Sequence, residues 1–192
     1  MILNFGVNDI PKCKSNLKYY QKWYDMIQRC YNTSQRSKYP TYTNCEVCQE
    51  WRYFSNFLNW CKAYEVRTGI DCKDYALDKD VMSSVTYSPE SCCFLPKNVN
   101  TFLSIKRRNN TLGYVGVSYQ KSSRLYKAEI NAFFERRRIC LGYFKDARSA
   151  SIAYKEAKLG IASRIVIEGL LSYDLEVEKV FLNSVENLLE TL

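Results

Sequence analysis

Between residues 115 and 143, three short runs alternate polar and apolar side chains, and their polar members could hold a polyanion. Ser118 and Gln120 fall on one side of the first run, Lys127, Glu129 and Asn131 on that side of the second, and Arg138 and Cys140 on the third. Hydroxyls and amides of this kind hydrogen-bond base edges, and the cations neutralise phosphates. Lys121, Arg124 and Arg136 lie between the runs, and Lys106, Arg107 and Arg108 lie just ahead of them. The chain contains no histidine, so proton transfer near neutral pH lacks its usual side chain. Cys45-x-x-Cys48 has metal-ligand spacing, but no second clean pair completes a four-ligand set. The nine cysteines are odd in number and sit inside apolar patterns, which fits reduced thiols better than a disulfide framework.

The elements that must position these residues follow from periodicity. A period of two over 115–120, 125–131 and 138–143 predicts three strands. Val117 and Tyr119, then Tyr126, Ala128 and Ile130, then Ile139 and Leu141 form the inward face. A helix is predicted over 146–158, with Asp146 as N-cap and Gly160 as its terminator. Ala147, Ala150, Ala153, Tyr154 and Ala157 make a narrow stripe that can lie close on the inner face. The outer face is then left open, at about the width that fits a DNA major groove.

Charge is concentrated in the same region. Residues 105–164 carry 14 Lys/Arg against 4 Asp/Glu, a net of +10, whereas the whole chain is +8. Residues 1–104 carry +3, with 13 against 10, and residues 165–192 carry −5, with 1 against 6. A basic module of this kind is an electrostatic footprint for phosphates. No apolar run reaches membrane-spanning length, and the start lacks the order of a signal peptide, so a membrane role is not expected.

Elsewhere the pattern is helical over 17–30, with Tyr20, Trp23, Tyr24, Ile27 and Cys30 at helical spacing, after a loosely structured lead-in. A second helix is predicted over 48–64, rich in aromatics such as Trp51, Phe54 and Trp60 that read as core. A strand over 75–81, a turn at 83–87 and a helix at 98–103 follow. Residues 173–192 form an amphipathic helix with a stripe of Val177, Val180, Phe181, Val185, Leu188 and Leu189. That stripe either pairs with another copy, as a homodimer, or packs back on its own chain.

Gly116-Val117, Tyr126-Lys127-Ala128-Glu129-Ile130, Leu141-Gly142-Tyr143-Phe144 and the run 150–154 resemble the APETALA/ethylene-response-factor domain. The resemblance implies a three-stranded sheet backed by one helix that reads the major groove. It implicates Ser118, Gln120, Glu129, Asn131, Arg138 and Cys140 as the groove-facing set. Plant members usually carry arginine or tryptophan where Ser118, Gln120 and Cys140 stand, so their sequence preference does not transfer.

Upstream, Trp23-x-x-Met26-x-x-Arg29-Cys30-Tyr31-Asn32 and Glu50-Trp51-x-x-Phe54 are similar to H-N-H homing endonucleases of phages, many of which carry an APETALA-type module. In those enzymes Asp-His begins a ββα-metal motif, and Asn or His about twenty residues on completes the metal site. Here Asp78-Lys79 holds the first position and Asn100 the second. Lysine, with an ordinary pKa of about 10.4, is a cation at neutral pH and a poor general base. The resemblance therefore implies an α+β chain: a degenerate H-N-H-like domain at 1–104, an APETALA-type domain at 105–164 and a C-terminal helical segment at 165–192. It implies a double-stranded-DNA-binding repressor or site competitor in the cytoplasm of a bacterial host. Asp78, Lys79 and Asn100 would then be vestiges, with no metal and no cofactor. The alternative is an active endonuclease with an atypical site, using Mg²⁺ or Mn²⁺ at Asp78 and Asn100.

Overall fold

A computed structural model describes residues 1–11, 13–104 and 112–190. Chain contacts divide it into two units, Met1–Lys97 and Asn98–Leu192, each with its own packing.

In the first unit, α1 (Leu17–Tyr31) buries Trp23, Ile27 and Cys30 as predicted, but with Tyr19 and Met26 in place of Tyr20 and Tyr24, which are only half-buried. Asn32 ends α1 and caps α2 (Thr33–Lys38), its Oδ1 accepting from the amides of Ser34 at 2.9 Å and Gln35 at 3.2 Å. Strand β1 (Glu46–Val47) comes next. The single helix predicted over 48–64 is interrupted: a short 3₁₀ turn at Glu50–Arg52 precedes α3 (Phe54–Thr68). Tyr53 is extended at the break, and the Trp51 carbonyl there accepts the buried indole N–H of Trp23 at 2.7 Å. Bonding of that carbonyl across the core favours the break over a continuous helix.

Two small strand pairs complete the unit. Strands β2 (Ala76–Asp78) and β4 (Cys93–Leu95) pair antiparallel. The segment predicted as a turn at 83–87 instead supplies β3 (Thr86–Tyr87), which pairs parallel with β1. The strand predicted over 75–81 is only three residues long, because the chain turns after Asp78. Helix α4 (Lys97–Leu103) follows β4, close to its predicted bounds.

The second unit holds β5 (Val117–Gln120), β6 (Leu125–Ala132) and β7 (Arg137–Phe144) in an antiparallel sheet of order β5-β6-β7. Helix α5 (Ala147–Ile167) packs on one face. Ala150, Ala128 and Val117 form the centre of that contact, with Leu141, Phe144 and Ala147 around it. Asp146 caps α5 as expected, its Oδ1 accepting from the Ser149 amide at 2.7 Å.

The helix does not stop at Gly160 but runs on to Ile167. Glycine costs a helix about 1 kcal/mol relative to alanine. Continuing past Gly160 places Ala162 and Ile165 in full burial, which outweighs that cost. Helix α6 (Leu175–Glu190) packs against α5. Val177, Phe181 and Val185 are fully buried, and Leu189 nearly so. Of the two uses of the C-terminal stripe, packing back on the chain is the one observed.

Candidate nucleic-acid interface and the aspartate–lysine turn

Cross-strand register decides which side chains share the outer face. Ser118 lies opposite Lys127, and Lys127 opposite Tyr143; Glu129 lies opposite Cys140, and Asn131 opposite Arg138. Gln120 pairs with Leu125 at the end of β5. All seven residues assigned to this face by alternation (Ser118, Gln120, Lys127, Glu129, Asn131, Arg138 and Cys140) therefore share the side opposite Val117, Ala128 and Ile130. Tyr119 keeps the inward parity, but it sits on an edge strand, against Tyr126, and remains 44% exposed. Lys121, Arg124 and Arg136 lie in the two hairpin turns and are exposed. Arg124 and Arg136 both take positive φ there, 56° and 51°. Lys106, Arg107 and Arg108 fall outside the described residues.

One member of the face was not legible from alternation. Strict period two carries Tyr143 inward along with Ile139 and Leu141. A β-bulge intervenes: Ala128 pairs with Gly142 and Glu129 with Cys140, so Leu141 is the extra residue. Both Leu141 and Gly142 then fall on the helix side, and Tyr143 turns outward, 55% exposed. The available signal was Gly142 itself, a glycine inside a strand, here at φ +141°.

The electrostatics of the face are uneven. The Lys127 ammonium donates to Glu129 Oε1 at 2.7 Å, and that bond holds its pKa above the ordinary lysine value. Gln120 Nε2 donates to Ser118 Oγ at 3.1 Å. Beside the sheet is a cavity of about 1290 Å³ whose walls include Lys121, Arg136, Arg137 and Arg138. Basic walls of this kind attract an anion and favour the charged partner over water.

Around β2, the residues of the predicted metal motif are committed to the protein's own structure. The Asp78 side chain is buried, and its Oδ1 accepts the Val81 amide at 2.9 Å, closing the turn after β2. Burial pushes its pKa up to about 6, opposed by that amide bond. Lys79 is 5% exposed; its ammonium donates to Asp80 Oδ1 at 2.5 Å and to the Ser84 carbonyl at 3.1 Å, and lies 5.6 Å from the Tyr87 ring centre. Burial disfavours its charge, but the bond and charge of Asp80 more than offset this, and its pKa stays above the ordinary lysine value. The position after Asp78 thus holds a fixed cation and not a group that can accept a proton near neutral pH. Asn100 belongs to the second unit, where it is half-buried and its carbonyl accepts from Ser104 Oγ at 3.3 Å.

This set does not fit a divalent cation: one carboxylate faces inward as a turn cap, and an ammonium sits beside it. Among the described residues there is no group of three His, Cys, Asp or Glu side chains that could hold a metal ion. Cys45 is buried and its thiol points to the Thr41 carbonyl; Cys48 is half-buried, and burial raises its pKa. All nine cysteines are free. No described helix is long and apolar enough to cross a membrane. No protein-family model, curated protein or solved structure matches this chain.

Proposed function

We propose that this chain binds duplex DNA through the outer face of the β5-β6-β7 sheet and does so without cutting it. The observation that carries the reading is the register, which gathers six polar or charged residues and Cys140 on one face while α5 covers the other. Three strands at about 4.8 Å spacing span roughly 10 Å, against a major groove about 12 Å wide. The net +10 of residues 105–164 supplies the non-specific attraction to phosphates. Ser118, Gln120, Asn131 and Arg138 carry the donors and acceptors that read base edges.

The similarity to H-N-H homing endonucleases supports an origin in such an enzyme. The fixed ammonium of Lys79 argues against hydrolysis, because activating water near a cation needs a base that can accept a proton. The activity left is occupancy of a DNA site, as a repressor or as a competitor for that site. The test is incubation with phage or bacterial genomic fragments in Mg²⁺ or Mn²⁺, scored for both mobility shift and cleavage. A shift without cleavage is expected. Cleavage abolished by Asp78→Ala would overturn the non-cutting half, and absence of any shift would overturn the binding half.

A further inference from the structure

Most polar groups on the outer face already have partners within it. Lys127 is held by Glu129 and Gln120 by Ser118. Asn131 and Arg138 differ: they lie directly opposite each other on β6 and β7, both are exposed, and neither side chain has a hydrogen-bond partner among the described residues. Two planar, multidentate groups therefore stand side by side with their full hydrogen-bonding capacity free.

We infer that Asn131 and Arg138 act as one reading unit for two adjacent purines, an adenine and a guanine, in the major groove. The inference rests on the DNA-binding reading of the sheet and names what that face selects. Its chemistry is specific. A guanidinium fork matches the O6 and N7 acceptors of guanine, and a carboxamide matches the N6 donor and N7 acceptor of adenine. Directly opposed residues have Cβ atoms about 4.5–5.5 Å apart, and a base-pair step rises about 3.4 Å. Two such side chains converge on neighbouring base pairs and not on steps half a turn apart. The order of the two purines is left to the strand polarity of the docked duplex.

The alternative use of an exposed arginine is a phosphate contact, and the two uses differ in what is lost. A base contact specifies; a phosphate contact positions and adds to the salt dependence. The same distinction separates Asn131 from a merely solvated amide.

The experiment is selection of bound duplexes from a randomised DNA pool with the full chain, followed by affinity measurements against salt. The wild type is expected to enrich a motif with adjacent adenine and guanine. Asn131→Ala should flatten the adenine column and Arg138→Ala the guanine column, each by about 5- to 150-fold in base discrimination. Arg138→Gln is the decisive variant, because a carboxamide there should convert the guanine column to adenine, a gain that misfolding cannot imitate. An enriched motif lacking the adjacent pair overturns the inference and leaves the DNA-binding reading standing. So does an unchanged motif in both alanine variants with the salt slope of Arg138→Ala reduced by about one. A wild type that enriches nothing and shifts no duplex overturns the DNA-binding reading and this inference with it.

Discussion

Replacing Gly116 by alanine should destabilise the sheet unit without changing any side chain of the outer sheet face. Gly116 holds φ +72° at the entry to β5, and its carbonyl accepts the Glu129 amide at 2.8 Å. A Cβ placed there would lie 2.2 Å and 2.5 Å from Cδ2 and Cε2 of Tyr154, and 2.8 Å from the Glu129 carbonyl oxygen. Left-handed backbone costs a non-glycine residue about 1–2 kcal/mol. Overpacking against a buried ring adds about 1–3 kcal/mol, since Tyr154 is pinned between α5 and the sheet. The total of about 2–5 kcal/mol is a large part of the 5–15 kcal/mol typical of a domain. For a unit of this size it lowers the midpoint by roughly 10–40 °C. Thermal unfolding followed by circular dichroism, with hydrogen exchange to place the loss in residues 112–167, measures it. Gly116→Ala combined with Tyr154→Leu should recover the ring-clash part and leave the backbone part. A Gly116→Ala midpoint within 2 °C of wild type, on the same size scaling, would refute the packing described for this junction.

Three further outcomes follow from the same structure. Lys158 is buried on α5, donating to the Phe102 carbonyl with its ammonium 3.8 Å from the Phe102 ring centre, and burial lowers its pKa to about 8. The unfolded chain then binds more protons between about pH 8 and 10.5, so stability should rise over that window, by up to about 3 kcal/mol from this group. Urea unfolding at several pH values should show this rise in wild type and its loss in Lys158→Met. Ending the chain after Leu171 removes α6 and uncovers the face of α5 on which it packs, so the truncated protein should aggregate; light scattering that finds it a soluble monomer would contradict the packing of α6. Full-length protein should scatter at monomer mass at micromolar concentration, because the apolar stripe of α6 is already covered by α5.

Much of the second unit was legible because its signals are local. Alternation placed Ala128 and Ile130 inward and Asn131 and Arg138 outward, and the alanine stripe with Asp146 before it marked the start of α5. The parts that were not legible depend on distant partners. The two-residue parallel pairing of Glu46 with Thr86 joins segments forty residues apart and has no pattern of its own. The passage of α5 through Gly160 goes with the burial of Ala162 and Ile165, which local propensity does not contain. Tyr143 depends on a single extra residue at Leu141, which reverses the faces of β7 beyond it. At the Asp78-Lys79 turn the residue types were legible, but the inward direction of the Asp78 carboxylate and the bond from Lys79 to Asp80 were not.

Binding of duplex DNA by the outer sheet face is measured by replacing two of its cations together. Affinity of wild type and of Lys127→Ala/Arg138→Ala for the duplex pool bound by the wild type should be measured by mobility shift across a salt series. Arg138 is exposed and Lys127 half-buried, and hydrogen bonds to charged groups contribute about 1.5–3 kcal/mol each, so the double variant should bind at least tenfold more weakly at every salt concentration. Wild-type affinity should itself fall steeply and linearly in log–log form as salt rises. Unchanged affinity in the double variant, with its thermal midpoint intact, would place any DNA contact elsewhere and rule out the sheet face as the binding surface.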